Sequence, residues 1–163
     1  MNSDNLPKER FIFEETDKVE RILSQYPDKR SATLPLLHLA QAQHGFIASG
    51  AIDTIAELLD CHPAIVMDCV SFYTMFYTKH QGRHIVQVCQ TLSCSLNGAD
   101  AIVDHVVDKY GIGPGETTAD ERFTLMKVEC LGSCGTAPVV QINTEYHEGI
   151  SQKYFGELLE SLE

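Results

Sequence analysis

Val88-Cys89-Gln90-Thr91-Leu92-Ser93-Cys94 and Val128-Glu129-Cys130-Leu131-Gly132-Ser133-Cys134-Gly135 are the two segments that decide how this chain is read. The first holds its cysteines as Cys-x4-Cys and the second as Cys-x3-Cys, and each follows an apolar run of strand character. His84 to Val88 reads as one strand and Phe123 to Glu129 as another. Two strand ends can therefore deliver four sulfurs to one edge of a sheet. Four convergent thiolates suit zinc or an iron–sulfur cluster. Structural zinc favours Cys-x2-Cys but allows wider spacing, and plant-type ferredoxins use Cys-x4-Cys-x2-Cys with a distant fourth ligand. The spacing here matches neither cleanly and leaves the two metals level.

Outward from the pairs, Ala99, Ile102, Val103, Val106, Val107 and Tyr110 recur at i, i+3, i+4 and predict a helix between the two strands. Gly111-Ile112-Gly113-Pro114-Gly115 reads as a loop. Val139 to Ile142 predicts a third strand, and Asn143-Thr144-Glu145 turns the chain into a short fourth strand at Tyr146-His147. Ser151 is placed to cap a last helix carrying Tyr154, Phe155, Leu158, Leu159 and Leu162. The order β-α-β-β-α predicts a small α/β layer over residues 81–163.

Upstream the pattern is helical. Residues 1–13 are polar with little periodicity and are expected to form a flexible arm. Val19, Ile22 and Leu23 share one helical face, with Pro27 as a stop. Ser31 is a candidate cap for a second helix, with Pro35 in its first turn, Leu36, Leu37 and Ala40 inward, and Gly45 at its end. A third helix follows Ser49, with Ile52, Ile55, Ala56 and Leu59 inward. A fourth opens at Pro63, with Ile65, Val66 and Cys69 inward. Residues 14–80 thus predict a helical bundle, and the fold class is α+β. The aromatic run Phe72 to Tyr77 is read chiefly as core between bundle and α/β domain, and in part as a face toward a partner subunit.

The 163 residues carry 12 basic and 23 acidic side chains, a net charge of −11. Nucleic-acid binding needs a basic footprint, and an anionic membrane surface would repel this chain. No apolar run is long enough to cross a bilayer, so no direct membrane insertion is expected. The start has neither an apolar signal core nor transit-peptide character, and the chain reads as cytoplasmic or already processed. A disulfide framework of the six cysteines suits a small secreted domain rather than this chain. Cys61 and Cys69 lie in the helical half and read as small buried hydrophobes. His62 beside Cys61 does not make a metal site, since sequential neighbours do not converge on one ion. Asp100, Asp104 and Asp108 recur every fourth residue as a solvated face.

The surroundings of the pairs favour redox use. Cys94 falls near the start of the predicted long helix, where N–H groups favour negative sulfur. Gly98, Gly132 and Gly135 let backbone approach the sulfurs. Ser93, Ser95, Ser133 and Thr136 are hydroxyl candidates, with ordinary turn chemistry the competing reading.

At these residues the chain resembles a known family, the thioredoxin-like 2Fe–2S subunit of the NADH-oxidising module of respiratory complex I, an NADH-quinone oxidoreductase. The resemblance covers nearly everything after the arm. It is carried by Arg30-Ser31-Ala32 leading into Pro35-Leu36-Leu37-His38-Leu39-Ala40-Gln41 and by Ser71-Phe72-Tyr73-Thr74-Met75-Phe76. Val88-Cys89 to Cys94, Gly113-Pro114-Gly115-Glu116-Thr117-Thr118, Phe123-Thr124-Leu125, Glu129-Cys130-Leu131-Gly132-Ser133-Cys134 and Ala137-Pro138 complete it.

The resemblance implies a thioredoxin-like α/β domain in which Cys89, Cys94, Cys130 and Cys134 bind one 2Fe–2S cluster. It implies one-electron exchange with FMN on a partner subunit that also binds NADH, further iron–sulfur subunits, and a place in the peripheral arm of a membrane-associated complex. The chain has neither Gly-x-Gly-x-x-Gly after a strand nor a Walker loop, in keeping with a subunit that is not catalytic alone. Three other readings stand beside this one, the third a free thioredoxin-like ferredoxin dimer, against which the helical N-terminal extension argues. The first is the equivalent subunit of a soluble NAD-reducing hydrogenase or NAD-dependent formate dehydrogenase. The second is a zinc-stabilised structural or interaction module. The bundle is read as the docking element.

Overall fold

The computed structural model describes residues 10–162. Its contacts divide at residue 80 into two units, and each has its own core.

The first unit is helical: α1 (Thr16–Ser24), α2 (Thr33–His44), α3 (Ser49–Leu59) and α4 (Pro63–Phe72). Leu36, Leu37 and Ala40 of α2, Ile55 and Ala56 of α3 and Val66 of α4 are buried together. The leucine, isoleucine and valine side chains each contribute roughly 1.5–3 kcal/mol when fully removed from water. Gly45 ends α2 in the left-handed region at φ 79°, with its N–H on the Gln41 carbonyl.

Ser31 does not cap α2. It lies in a 3-10 turn, Lys29–Ala32, which Asp28 caps by accepting from the Arg30 N–H at 3.0 Å. Ile65 does not face inward either. Val70 takes the inward position with Val66, which lies one turn before it on the same face of α4. Of the stretch expected as an arm, residues 10–13 are described. Phe11 and Phe13 are buried in this core, and the Phe11 carbonyl accepts from Thr54 Oγ1 at 2.9 Å. Within the aromatic run Phe76 is buried in the same core, whereas Phe72 is exposed.

The second unit follows the order β1 (His84–Cys89), α5 (Leu92–Leu96), α6 (Ala99–Tyr110), β2 (Phe123–Val128), β3 (Val139–Ile142), β4 (Glu145–Glu148) and α7 (Gln152–Ser161). The sheet order is β2-β1-β3-β4, with β1 parallel to β2 and the other neighbours antiparallel. Val86 stands opposite Leu125 and Ile142, and Val88 opposite Val140. This face receives Ile102 and Val106 of α6 and Phe155 and Leu159 of α7. Gly98 and Gly111 bracket α6 at positive φ, Asp100 sits in its first turn and Lys109 in its last, so the ends complement the helix dipole. Arg122, just before β2, donates to the Leu159 and Leu162 carbonyls at the end of α7. Its guanidinium carbon lies 4.7 Å from the Phe123 ring centroid, which ties the last helix to the sheet.

Gly82 sets the entry to β1. Its N–H donates to Thr124 Oγ1 at 2.6 Å, and a Cβ there would lie 2.8 Å from the Phe123 backbone carbon. Backbone cannot rotate away as a side chain can. Gly82→Ala is therefore expected to lower stability by about 1–3 kcal/mol, measured as a lower urea midpoint with unchanged slope.

Candidate metal centre

Because β1 and β2 are parallel, their carboxyl ends share one edge of the sheet, and Cys89 stands opposite Val128. The Gln90 N–H donates to the Val128 carbonyl at 2.9 Å, and Gln90 Nε2 donates to Glu129 Oε1 at 3.0 Å, so the pairing continues past the strands. Cys89 closes β1 and Cys130 lies two residues beyond β2. Their partners come back on short helical turns. Cys94 sits in α5, a separate five-residue helix, rather than at the start of the long helix as the sequence suggested. Cys134 opens a 3-10 turn, Cys134–Thr136.

The sulfurs are arranged two by two. Cys130 Sγ and Cys134 Sγ are 3.6 Å apart, and Cys89 is hydrogen-bonded with Cys94. Cys89 also interacts electrostatically with Cys130 and Cys134, and Cys94 with Cys134, so both pairs share one site. Among the described residues no three His, Cys, Asp or Glu side chains are grouped for a single ion. A two-iron centre asks for four thiolates, two to each iron, and this donor set fits it. Cys89 and Cys94 are buried and Cys130 and Cys134 exposed.

Backbone N–H groups point at the sulfurs. Gly132 N–H donates to Cys130 Sγ at 3.3 Å, made possible by the positive φ of Gly132. Leu131 N–H reaches Cys89, and Val139 N–H reaches Cys94. Thr91 Oγ1 lies 3.2 Å from Cys89 Sγ.

These contacts split each pair. Burial opposes charge on Cys89, but bonds from the Thr91 hydroxyl and the Leu131 and Thr91 N–H groups outweigh it and hold the thiol below its ordinary value. Burial raises Cys94, and the bond with Cys89 adds to the rise. The Gly132 N–H, followed by Cys134, lowers Cys130, while the bond with Cys130 raises Cys134.

Glu148 of β4 braces the second pair. It accepts from Ser133 Oγ at 2.6 Å and from Thr136 Oγ1 at 2.9 Å, and these bonds hold its carboxyl below the usual range. Two hydroxyls that the sequence offered as sulfur donors thus serve the loop instead. Ser95 Oγ likewise donates to Asp100 Oδ2 at 3.2 Å. Asp100 also pairs with Lys127 at 3.1 Å, so this acidic residue is more than a solvated face. Cys61 and Cys69 lie in the helical unit, half-buried against its core. His62 Nδ1 accepts from the Ala64 N–H at 3.2 Å and caps α4. Sequence reading missed Thr91 and Glu148. For Thr91 the available signal was a hydroxyl two residues after the first cysteine. For Glu148 there was none, since a strand and a loop separate it from Ser133.

The profile of the thioredoxin-like 2Fe-2S ferredoxin family matches residues 19–163. The chain belongs to that family. Its curated relatives include an NADH-quinone oxidoreductase subunit of Rhizobium meliloti, 39% identical over 145 residues, 89% of this chain and 86% of that protein. An NADH-quinone oxidoreductase subunit of Rickettsia conorii is 43% identical over 147 residues, 88% of each chain. Among solved structures, an NAD+-reducing NiFe-hydrogenase in the air-oxidized state superposes with a TM-score of 0.68 at 23% identity. That match covers 80% of this chain and 22% of the other, and it shows a common fold. Membership in a 2Fe-2S ferredoxin family resolves the choice that spacing left open in favour of an iron–sulfur cluster over zinc.

The split of each pair sets an order of reactivity in the cluster-free chain. Cys130 is exposed with a lowered pKa, so alkylation by iodoacetamide should reach it before Cys134 and before the buried Cys89 and Cys94. Its rate should be full above its pKa and fall as pH drops through a midpoint below the ordinary thiol range. Peptide mapping by mass spectrometry across pH checks both the order and the midpoint.

Proposed function

We propose that this protein is the electron-transfer subunit of an NADH-quinone oxidoreductase, with Cys89, Cys94, Cys130 and Cys134 holding one 2Fe–2S cluster. That cluster supplies one-electron exchange with FMN carried by a partner subunit, which also binds NADH. The observation that carries the reading is the arrangement of four sulfurs in two pairs at the edge where β1 and β2 end. The Gly132, Leu131 and Val139 N–H groups turn toward the sulfurs and stabilise negative charge there. The names of relatives at 39% and 43% identity favour the quinone enzyme. The hydrogenase likeness, at 23% identity, speaks for the fold alone.

The chain's own part in the reaction is to hold, insulate and present the centre. Cys89 and Cys94 anchor it in the core, and Cys130 and Cys134 leave its other side open. Electron transfer weakens steeply with distance, so the flavin subunit comes up against that open edge. Leu92 and Leu96, one turn apart on α5, are 75% and 78% exposed beside it. An apolar pair left in water next to a redox site fits a protein partner that covers it. The N-terminal helices form a bundle that docks to the same complex, with further iron–sulfur subunits beyond the flavin subunit. Among the described residues no helix is long and apolar enough to cross a membrane. The subunit sits in the peripheral arm, on the cytoplasmic side.

The purified protein is expected to be red-brown, to hold two irons, and to give a one-electron paramagnetic signal on dithionite reduction. A colourless protein with one zinc would sink the proposal. Replacing any one of Cys89, Cys94, Cys130 or Cys134 by serine should lose or destabilise the cluster, whereas the same change at Cys61 or Cys69 should leave iron content unchanged.

Leu92→Asp with Leu96→Asp should keep the signal but weaken capture of the flavin subunit at least tenfold by pull-down or biolayer interferometry. Undiminished capture would move the docking face elsewhere.

A further inference from the structure

Thr91 occupies the position that opens α5, with extended backbone at φ −79° and ψ 167°. A threonine there ordinarily turns its hydroxyl oxygen to a free N–H of the first turn, a contact worth about 0.5–2 kcal/mol. Thr91 makes no such bond. Its hydroxyl is turned the other way, 3.2 Å from Cys89 Sγ, and it also meets Cys130 of the other pair. The local cap is forgone for a contact with sulfur.

Geometry alone leaves the direction of the Thr91–Cys89 bond open, because a thiol and a hydroxyl can each donate. A metal-bound thiolate has no proton, so once the site is loaded the hydroxyl is the donor. A threonine carries one O–H, and two sulfurs from separate strand ends lie within its reach. Of the other hydroxyls flanking the cysteines, those of Ser133 and Thr136 are held by Glu148 and that of Ser95 by Asp100.

We propose that Thr91 is a positioning and tuning residue for the cluster, donating its hydroxyl to sulfur between the two cysteine pairs and thereby raising the reduction potential. The physical ground is that a proton donor to sulfur stabilises the more negative, reduced state more than the oxidised one. The Gly132, Leu131 and Val139 N–H donors belong to the backbone and cannot be removed by substitution. Thr91 is a side-chain donor, so its contribution is open to substitution. The inference rests on the four-cysteine site described above.

The test is a potentiometric titration of the full-length protein followed by paramagnetic resonance. Thr91→Val keeps the shape and removes the hydroxyl, and its midpoint should move to more negative potential with two irons retained. Thr91→Ser restores the hydroxyl and should return the midpoint to the wild-type value. Ser95→Ala, which removes a hydroxyl already held by Asp100, should move it less than Thr91→Val does. An intact cluster in Thr91→Val with an unshifted or more positive midpoint overturns the proposal, as does an equal shift in Ser95→Ala. If Thr91→Val fails to hold iron, Thr91→Ser carries the test: loss of the cluster, or a midpoint away from wild type, overturns it. A wild-type protein without a 2Fe–2S signal would sink the site reading and this inference with it, whereas an unshifted Thr91→Val sinks this inference alone.

Discussion

The parallel pairing of β1 with β2 is the constraint on which the site depends. An antiparallel partner would put the second cysteine loop at the opposite end of the strand, roughly 20 Å away for six residues. Parallel pairing requires a crossover, and α6 supplies it, packed over Val86, Val88 and Leu125. The core of this unit therefore does more than stabilise it. The apolar contacts of Ile102 and Val106 hold the geometry that brings Cys89 and Cys130 to one edge. Gln90 extends the register past the strands by bonding to Val128 and Glu129, so the two loops begin their excursions from fixed points.

From those points the chain uses very short helical pieces to bring the second cysteine of each pair back. A five-residue helix and a 3-10 turn are too short to be stable alone. They are held by what surrounds them: Asn97 Nδ2 on the Ser93 carbonyl at 2.7 Å, and Glu148 bridging Ser133 and Thr136. The Glu148 brace places a carboxylate close to a site that gathers negative sulfur. Its charge is offset by two hydroxyl donors rather than by a cation.

Much of this was legible in the sequence. The strands at 84–88, 123–129 and 139–142 were readable as short apolar runs buried on both faces, and the helix at 99–110 because it buries one face and so repeats at helical spacing. The cysteine spacing, with the family resemblance, pointed to the cluster. The short elements were not readable, since Leu92–Leu96 and Cys134–Thr136 are too brief to show a period and their Ser and Gly residues suit any turn. Ile65 and Val66 are adjacent and alike, and composition cannot say which one faces the core. Phe11 and Phe13 lie in a polar stretch without helical spacing, and only tertiary contacts bury them. The roles of hydroxyls near the sulfurs depend on long-range partners such as Glu148, which no local pattern displays.

The unequal exposure of the two cysteine pairs makes the site polar in its electrostatics. One end sits in the low-dielectric core and the other borders water. Water supports charge at the wet end, whereas at the buried end the Thr91 hydroxyl and the Leu131 and Val139 N–H groups take its place. A four-cysteine centre held here would therefore have one side supported by fixed protein donors and the other by solvent. A partner docking at Cys130 and Cys134 would displace that solvent and so change the surroundings of the exposed pair far more than those of the buried one. The core-facing half would keep its surroundings whatever docks.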